Sequence, residues 1–149
     1  METMLTAIVT WLSVNLGMPA IYDHPRIEFV SPEAMQTVRH RGAELGRAAT
    51  QRTEHDRAPE VEAFYDDATR TIYLAKGWTG KSPAALSVLV HEMVHHVQNA
   101  AGLKYACPED REKPAYAAQA QWLALFGRNL MDEFELDPMT VLVRTNCMH

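Results

Sequence analysis

The segment from Ser82 to Gly102 constrains the fold of this chain more than any other, because it has the signature of a long helix. Ser82 is a favourable N-cap residue, Pro83 suits the first helical position, and Gly102 is typical of a helix end. At about 100° per residue, one side of this helix is apolar and is predicted to face the core. The apolar residues are Leu86, Leu89, Val90, Met93, Val94 and Val97.

The other side of the same helix carries two histidines four residues apart, His91 and His95. Side chains at this spacing lie one turn apart on the same side, so both imidazoles can reach one zinc ion. Glu92 lies about 100° away around the helix axis, where its carboxylate can reach a water bound to the metal and act as general base. HEMVH therefore predicts a metal site. The alternative is a solvated helix face that is rich in histidine.

The third protein ligand must come from outside this helix. A catalytic zinc site commonly has three protein ligands and a water molecule. In an HExxHxxGxxH motif the third ligand is another histidine, but Gln98 and Ala101 stand at the glycine and histidine positions of that motif. The other common source is a glutamate on a later helix, and residues 107–127 are predicted to supply one.

This later helix contains two candidate glutamates, Glu112 and Glu109. Asp110 is a suitable N-cap, and it would place Pro114 in the first turn, where a missing N–H is tolerated. We favour Glu112, because ligation by Glu109 requires an earlier helix start that would put Pro114 inside the helix. Asp110 is the third option. Glu112 shares one stripe of the helix with Tyr116, Gln119 and Leu123.

The sequence HEMVHH, followed by a helix that contains Glu112-x-x-Ala115, resembles a known class of metallopeptidases. It is similar to the minimal single-domain members of the gluzincins, the glutamate-ligand branch of the HExxH zincins. The resemblance covers residues 83–126 and, more loosely, the preceding hairpin. It implies a zincin-like α+β fold, in which a small antiparallel or mixed sheet packs on the HExxH helix and on a following ligand helix.

The resemblance also implies roles for individual residues. It implies one zinc ion bound by His91, His95 and Glu112. Glu92 would be the general base that activates the zinc-bound water. The strand at residues 70–75 would form the edge of a cleft, along which a peptide or protein substrate would pair through backbone hydrogen bonds.

The oxyanion that develops during hydrolysis needs a hydrogen-bond donor in addition to the metal. Tyr116, one turn after the glutamate ligand, is the first candidate, followed by Tyr105 and His96. The alternative for Tyr116 is a core position with a hydrogen-bonded hydroxyl. For His96 we favour a position that contacts the metal ligands, or one at the surface, over direct binding of the metal. Gln98 and Gln119 are further candidates for hydrogen bonds to the metal ligands.

Before the histidine helix, the sequence predicts a helix, a strand, a second helix and a hairpin, which together indicate an α+β domain. The strand is RIEFV, residues 26–30, and Ser31 is the N-cap of the second helix. The hairpin covers residues 61–75 with a turn at 66–69, and residues 51–60 are predicted to be a surface loop. The predicted buried positions are Leu5, Ile8, Val9 and Leu12 in the first helix and Met35, Val38, Gly42, Leu45 and Ala49 in the second.

Composition limits the class of protein. A chain of 149 residues that is 47% hydrophobic is long and apolar enough for one domain, residues 1–149, with a sizeable core. The net charge of −5 and the absence of a basic stripe argue against a nucleic-acid partner. No apolar run is long enough to predict a transmembrane segment, and the first helix lacks the basic start of a signal peptide. Cys107 and Cys147 are either two buried thiols or one disulfide, which would favour an extracytoplasmic location.

Two classes of function are consistent with these features. The first, which we favour, is a zinc-dependent hydrolase, in particular a small metallopeptidase. The second is a non-catalytic binding or interaction module that keeps a zincin-like fold, with or without structural zinc. A structural zinc ion is usually enclosed by four protein ligands, and the sequence offers no convincing fourth, which favours the enzyme.

Overall fold

The computed structural model describes residues 1–44 and 62–147, which form an α+β arrangement of helices around a small sheet. The three strands of the described residues are β1 (Arg26–Val30), β2 (Ala63–Asp66) and β3 (Thr71–Ala75). The helices are α1 (Glu2–Leu16), α2 (Pro32–Glu44), α3 (Pro83–Ala100), α4 (Pro108–Ala124), α5 (Leu130–Glu133) and α6 (Pro138–Thr145).

The sheet is mixed, and its strand order is β1-β3-β2. β3 pairs in parallel with β1 and antiparallel with β2, so Ile72 lies between Ile27 and Tyr65. The backbone hydrogen bonds of β3 are therefore used on both sides. The expectation that residues 70–75 form the edge of a cleft is wrong, because a central strand has no unpaired edge to offer a substrate.

The main core lies between α3 and the elements packed around it. α3 packs against α4, α1 and β2, and its apolar residues Leu89, Val90, Met93, Val94 and Val97 are all fully buried. The predicted buried positions of α1, from Leu5 to Leu12, are likewise buried. The helical periodicity of both segments therefore predicted these buried positions correctly, although the face of α3 that carries His91 and His95 is buried as well.

The first strand and the second helix are also confirmed. RIEFV is β1, and the hydroxyl of Ser31 accepts a hydrogen bond from the Ala34 N–H at the start of α2. Gly42 permits close packing on β2, because a Cβ there would lie 2.6 Å from the Phe64 ring. Met35 and Val38 are buried as predicted, whereas Leu45, Ala49 and the loop at 51–60 lie outside the described residues.

The start of α4 differs from the prediction. The helix begins at Pro108 with Cys107 as N-cap, so Asp110 is not the cap and Pro114 lies inside the helix. Pro108 suits this start because its fixed φ angle is already helical and its missing N–H needs no partner there. At Pro114 the helix loses the hydrogen bond to the Asp110 carbonyl. The reasoning that favoured Glu112 from the position of Pro114 is therefore wrong, and the choice of ligand depends on the geometry of the site.

A disulfide between Cys107 and Cys147, whose Cα atoms are 5.9 Å apart, links the residues that follow α6 to the start of α4. Arg144 of α6 also donates a hydrogen bond to the Tyr116 hydroxyl. The disulfide thus joins the first turn of α4 to the end of the described chain. Within the described residues, no helix is both long and apolar enough to cross a membrane.

Replacing both cysteines with alanine should lower the free energy of unfolding by about 4 kcal/mol, because the disulfide closes a loop with a sequence separation of 40 residues. Chemical denaturation of the wild type, with and without reductant, and of the double variant measures this loss. Reduced wild type should match the variant. A denaturation midpoint that neither reduction nor substitution changes would contradict the prediction.

Candidate metal centre

Three buried side chains from two helices meet between α3 and α4. The ligand atoms of His91, His95 and Glu112 all lie within 4.8 Å of one another. His91 Nε2 is 2.9 Å from one Glu112 carboxylate oxygen, and His95 Nε2 is 2.8 Å from the other. The three residues are 1%, 6% and 3% exposed. This group could hold one metal ion.

Helical spacing explains how each side chain reaches this point. His91 and His95 are one turn apart on α3, and their rings lie 5.1 Å apart. On α4 the predicted stripe of Glu112, Tyr116, Gln119 and Leu123 is buried throughout. Glu109, the competing glutamate, is only partly buried and is not part of the group. The structure therefore places Glu112 next to the histidines.

A chain of hydrogen bonds sets the orientation of His91. The hydroxyl of Ser87 donates to the Ala84 carbonyl and therefore accepts from the Gln119 amide N–H. The amide oxygen of Gln119 is then left facing His91 Nδ1 at 2.8 Å. Because this oxygen can only accept, the His91 ring carries a hydrogen on Nδ1.

A second series of hydrogen bonds sets the orientation of His95. The amide N–H of Gln98 donates to the Arg111 carbonyl at 2.9 Å, so its amide oxygen faces His95 Nδ1 at 2.8 Å. His95 therefore also carries a hydrogen on Nδ1. Both glutamines hydrogen-bond the metal-ligand candidates, as the sequence suggested for Gln98 and Gln119.

These two sets of hydrogen bonds direct the Nε2 atoms of both histidines toward the Glu112 carboxylate. With Nδ1 protonated, a neutral imidazole has only a lone pair at Nε2, and the carboxylate of Glu112 also only accepts. His95 Nε2 is buried without a hydrogen-bond partner in the described part of the chain. Acceptors held this close to one another require a proton or a metal cation between them, and the residues present fit a metal ion.

The pKa values of His95 and Glu112 are shifted by burial and by their contact with each other. Burial by itself lowers the pKa of His95, but the Glu112 carboxylate raises it to a net value above the ordinary one. Burial raises the pKa of Glu112, but the two histidines lower it well below its usual range. Glu112 is therefore ionised, and a metal ion that binds there takes the place of a proton.

Glu92 lies beside this group and is 3% exposed. None of the described residues forms a hydrogen bond or an ion pair with its carboxylate. Its negative charge helps to raise the pKa of His95, which places it within electrostatic range of the group.

Tyr116 packs directly on a ligand candidate. Its ring meets the His91 ring edge to face, with centroids 4.8 Å apart, and Arg144 donates a hydrogen bond of 3.3 Å to its hydroxyl. The residue belongs to the main core and is 5% exposed. Its ring therefore supports His91. A role for its hydroxyl as oxyanion donor stays a prediction.

Both ring nitrogens of His96 are hydrogen-bonded to residues outside the His91–His95–Glu112 group. Its Nε2–H donates to the Asp23 carbonyl at 2.6 Å, and its Nδ1 accepts from the Tyr65 hydroxyl at 3.1 Å. Burial lowers the pKa of His96 and raises that of Tyr65 to about 12. The residue is 1% exposed, which excludes the surface alternative, and it is not part of the group of ligand candidates, as predicted. With both ring nitrogens engaged, His96 connects α3 to the sheet and to the segment before β1.

A pocket of about 510 Å³ lies next to the His95 side of the group. Gln98 and Arg111 form part of its wall, together with Asp67, Tyr105 and Cys107. Sequence reasoning missed Arg111 and Asp67, which form an ion pair at 2.7 Å. The position of Arg111 directly before Glu112 was the one local signal, whereas the turn that contains Asp67 is distant in sequence.

Fold and site together define an α+β protein with a buried His-His-Glu group that could bind a metal ion. The whole chain, residues 1–149, matches the model of the family described as a domain of unknown function (DUF6647), and the chain belongs to this family. No curated protein and no solved structure matches it. Its function is therefore argued from the chemistry of the site.

Proposed function

We propose that this protein is a zinc-dependent hydrolase, in particular a small metallopeptidase with a zincin-like fold of the gluzincin type. One observation carries the proposal: the ligand atoms of His91, His95 and Glu112 converge in one buried group that could hold a metal ion, and Glu92, which has no hydrogen bond or ion pair with any described residue, lies within electrostatic range of it. A metal site and a general base are the two parts that such a hydrolase requires.

The ligand set favours zinc over harder cations. Two imidazoles with one carboxylate are typical of zinc and other late transition metals, whereas magnesium and calcium prefer oxygen ligands. Three protein ligands leave a fourth zinc position for water or substrate. The hydrogen bonds from Nδ1 of both histidines to amide oxygens orient the rings and raise their basicity as ligands.

Zinc held by these three residues would supply a water of lowered pKa and would polarise a substrate carbonyl. Glu92 takes a proton from the attacking water. The water oxygen forms a bond to the carbonyl carbon, the C–N bond breaks, and Glu92 delivers the proton to the leaving amine. Tyr116 is proposed as donor to the developing oxyanion. Its contact with His91 places it next to the ligands.

The proposed substrate is a peptide or protein, although it cannot pair with the central strand β3 as the sequence suggested. The pocket lined by Gln98 and Arg111 is one hydrogen bond away from a ligand candidate, because Gln98 contacts His95. The disulfide between Cys107 and Cys147 favours a protein of an oxidising, extracytoplasmic compartment.

The second candidate function is a non-catalytic binding module with a structural metal ion. The low exposure of the three ligand candidates, at most 6%, favours it, because a catalytic metal ion needs access for substrate. A structural zinc ion would, however, usually have four protein ligands. The described group has three. An open coordination position is therefore what distinguishes the two functions.

We expect one tightly bound zinc ion per chain in tag-free protein after dialysis, and a hydroxamate should then raise the melting temperature. A ligand at a hundredfold excess over its Kd adds about 2.7 kcal/mol of stability. The control is zinc-free protein, which the hydroxamate should not stabilise. Stoichiometric zinc without any hydroxamate effect would favour the structural metal ion, and no zinc even after reconstitution would contradict both.

Hydrolysis is measured on the zinc-loaded protein with a mixture of quenched fluorescent peptides. Activity should disappear on removal of zinc with a chelator and return on addition of one equivalent. Cleavage that persists in the chelated protein would contradict the proposal.

A further inference from the structure

Arg111 holds the Gln98 side chain from two sides. The Gln98 amide N–H donates to the backbone carbonyl of Arg111 at 2.9 Å, and Arg111 Nε–H donates to the Gln98 amide oxygen at 3.3 Å. A carbonyl only accepts and a guanidinium only donates. The amide is therefore held in one orientation, with its oxygen 2.8 Å from His95 Nδ1.

Arg111 is in turn anchored by Asp67 in the turn between β2 and β3. Its two terminal nitrogens donate to the two Asp67 carboxylate oxygens at 2.7 and 3.0 Å. A bidentate pair of this kind specifies geometry as well as adding energy. The Asp67 carbonyl also accepts from Asn99 of α3 at 3.0 Å, which fixes the turn against the helix.

We propose that Arg111, anchored by Asp67, is a positioning residue for the metal ligand His95 and acts through Gln98. It keeps the hydrogen of His95 on Nδ1 and the lone pair of Nε2 directed toward Glu112. This inference rests on the proposed zinc site and deepens it. The position of Arg111, directly before Glu112 on α4, couples the orientation of one ligand to the backbone that carries another.

Charge and positioning make opposite predictions for the loss of Arg111. As a cation next to Glu112, Arg111 repels a zinc ion, so loss of its charge alone would strengthen zinc binding. Loss of a residue that orients a metal ligand through hydrogen bonds typically weakens metal binding about 10–100-fold. The sign of the change in zinc affinity therefore separates the two effects.

The test measures zinc affinity by competition with a chromophoric chelator in the wild type, Arg111→Met and Arg111→Lys. Methionine keeps an apolar stem. Lysine keeps the charge but lacks the Nε–H donor and the planar guanidinium that can donate two parallel hydrogen bonds. Both variants should bind zinc about tenfold or more weakly. The matched control is Arg128→Met, which removes an ion pair with Glu133 outside the site and should leave zinc affinity unchanged.

A second readout reports on His95 without any zinc. In protein with ¹⁵N-labelled histidine, the Nδ1–H proton of His95 should exchange with water faster in Arg111→Met and Arg111→Lys than in the wild type. Unchanged exchange together with equal or tighter zinc binding in these variants would overturn the positioning role. If the wild type binds no zinc, the proposed function fails, and the exchange rates still decide whether Arg111 positions His95. If Arg111→Met does not fold, Arg111→Lys decides both readouts.

Discussion

Replacing Glu112 with alanine should weaken zinc binding by more than about a hundredfold. Even the loss of a residue that only hydrogen-bonds a metal ligand typically weakens metal binding about 10–100-fold. The carboxylate supplies both oxygens that face His91 Nε2 and His95 Nε2. Two imidazoles alone leave the site with one ligand too few for tight binding. Zinc per chain after dialysis, compared between the wild type and the variant, measures the loss.

The matched control is Glu109→Ala, which removes a carboxylate from the same helix one turn before the site. Glu109 is partly exposed and does not belong to the group of three. The Glu109→Ala variant should keep one zinc ion per chain. Loss of zinc from Glu109→Ala, with zinc retained in Glu112→Ala, would reverse the assignment. Circular dichroism of both variants tests whether each is folded.

Replacing Glu92 with glutamine should leave zinc in place and lower the rate of hydrolysis by about 10²–10⁴-fold, the usual contribution of a general base. Glutamine has nearly the same shape but cannot take the proton. Since none of the described residues pairs with the Glu92 carboxylate, the neutral amide should not lower the melting temperature. Turnover, zinc content and melting temperature are measured on the same preparation.

Glu109→Gln is the matched control for this substitution, since it also neutralises one carboxylate and lies outside the group. Its turnover should equal that of the wild type. Full turnover in Glu92→Gln would remove the general-base role, whereas loss of zinc from Glu92→Gln would show that this carboxylate helps to hold the metal ion.

Helix α3 could be predicted from sequence almost residue by residue. Its start at Pro83 follows from the local Ser82 cap, whose side chain accepts from the Ala85 N–H. Its buried face follows from the spacing of apolar residues. Both signals act within one or two turns, so no tertiary information is needed to interpret them.

The start of α4 reflects a local signal, Pro108 at the first helical position, together with a contact that is distant in sequence. Cys107 is the N-cap although it makes no side-chain capping bond, and the disulfide to Cys147 holds it in place. The favourable cap residue Asp110 lies within the helix instead. Pro108 and the disulfide together thus outweighed the capping preference of Asp110, which amounts to only about 0.5–2 kcal/mol.

The position of β3 in the sheet was equally beyond local reasoning. Alternation of apolar and polar residues predicts a strand but does not say which strands pair with it. The hairpin partner β2 is adjacent in sequence, whereas β1 pairs with β3 across α2. That parallel pairing made β3 central and excluded it as a substrate edge.

The sequence by itself determined helix α3 and the face of it that carries His91 and His95, because helical periodicity and capping are local properties. Only the tertiary structure decided which glutamate meets these histidines, how their rings are oriented and where Glu92 lies. The ring orientations depend on hydrogen bonds that Gln119 and the Arg111 carbonyl of α4 accept from His91 and Gln98 of α3, and these bonds form only when α3 and α4 pack together. Such bonds join residues distant in the chain, and neither spacing nor composition encodes their directions.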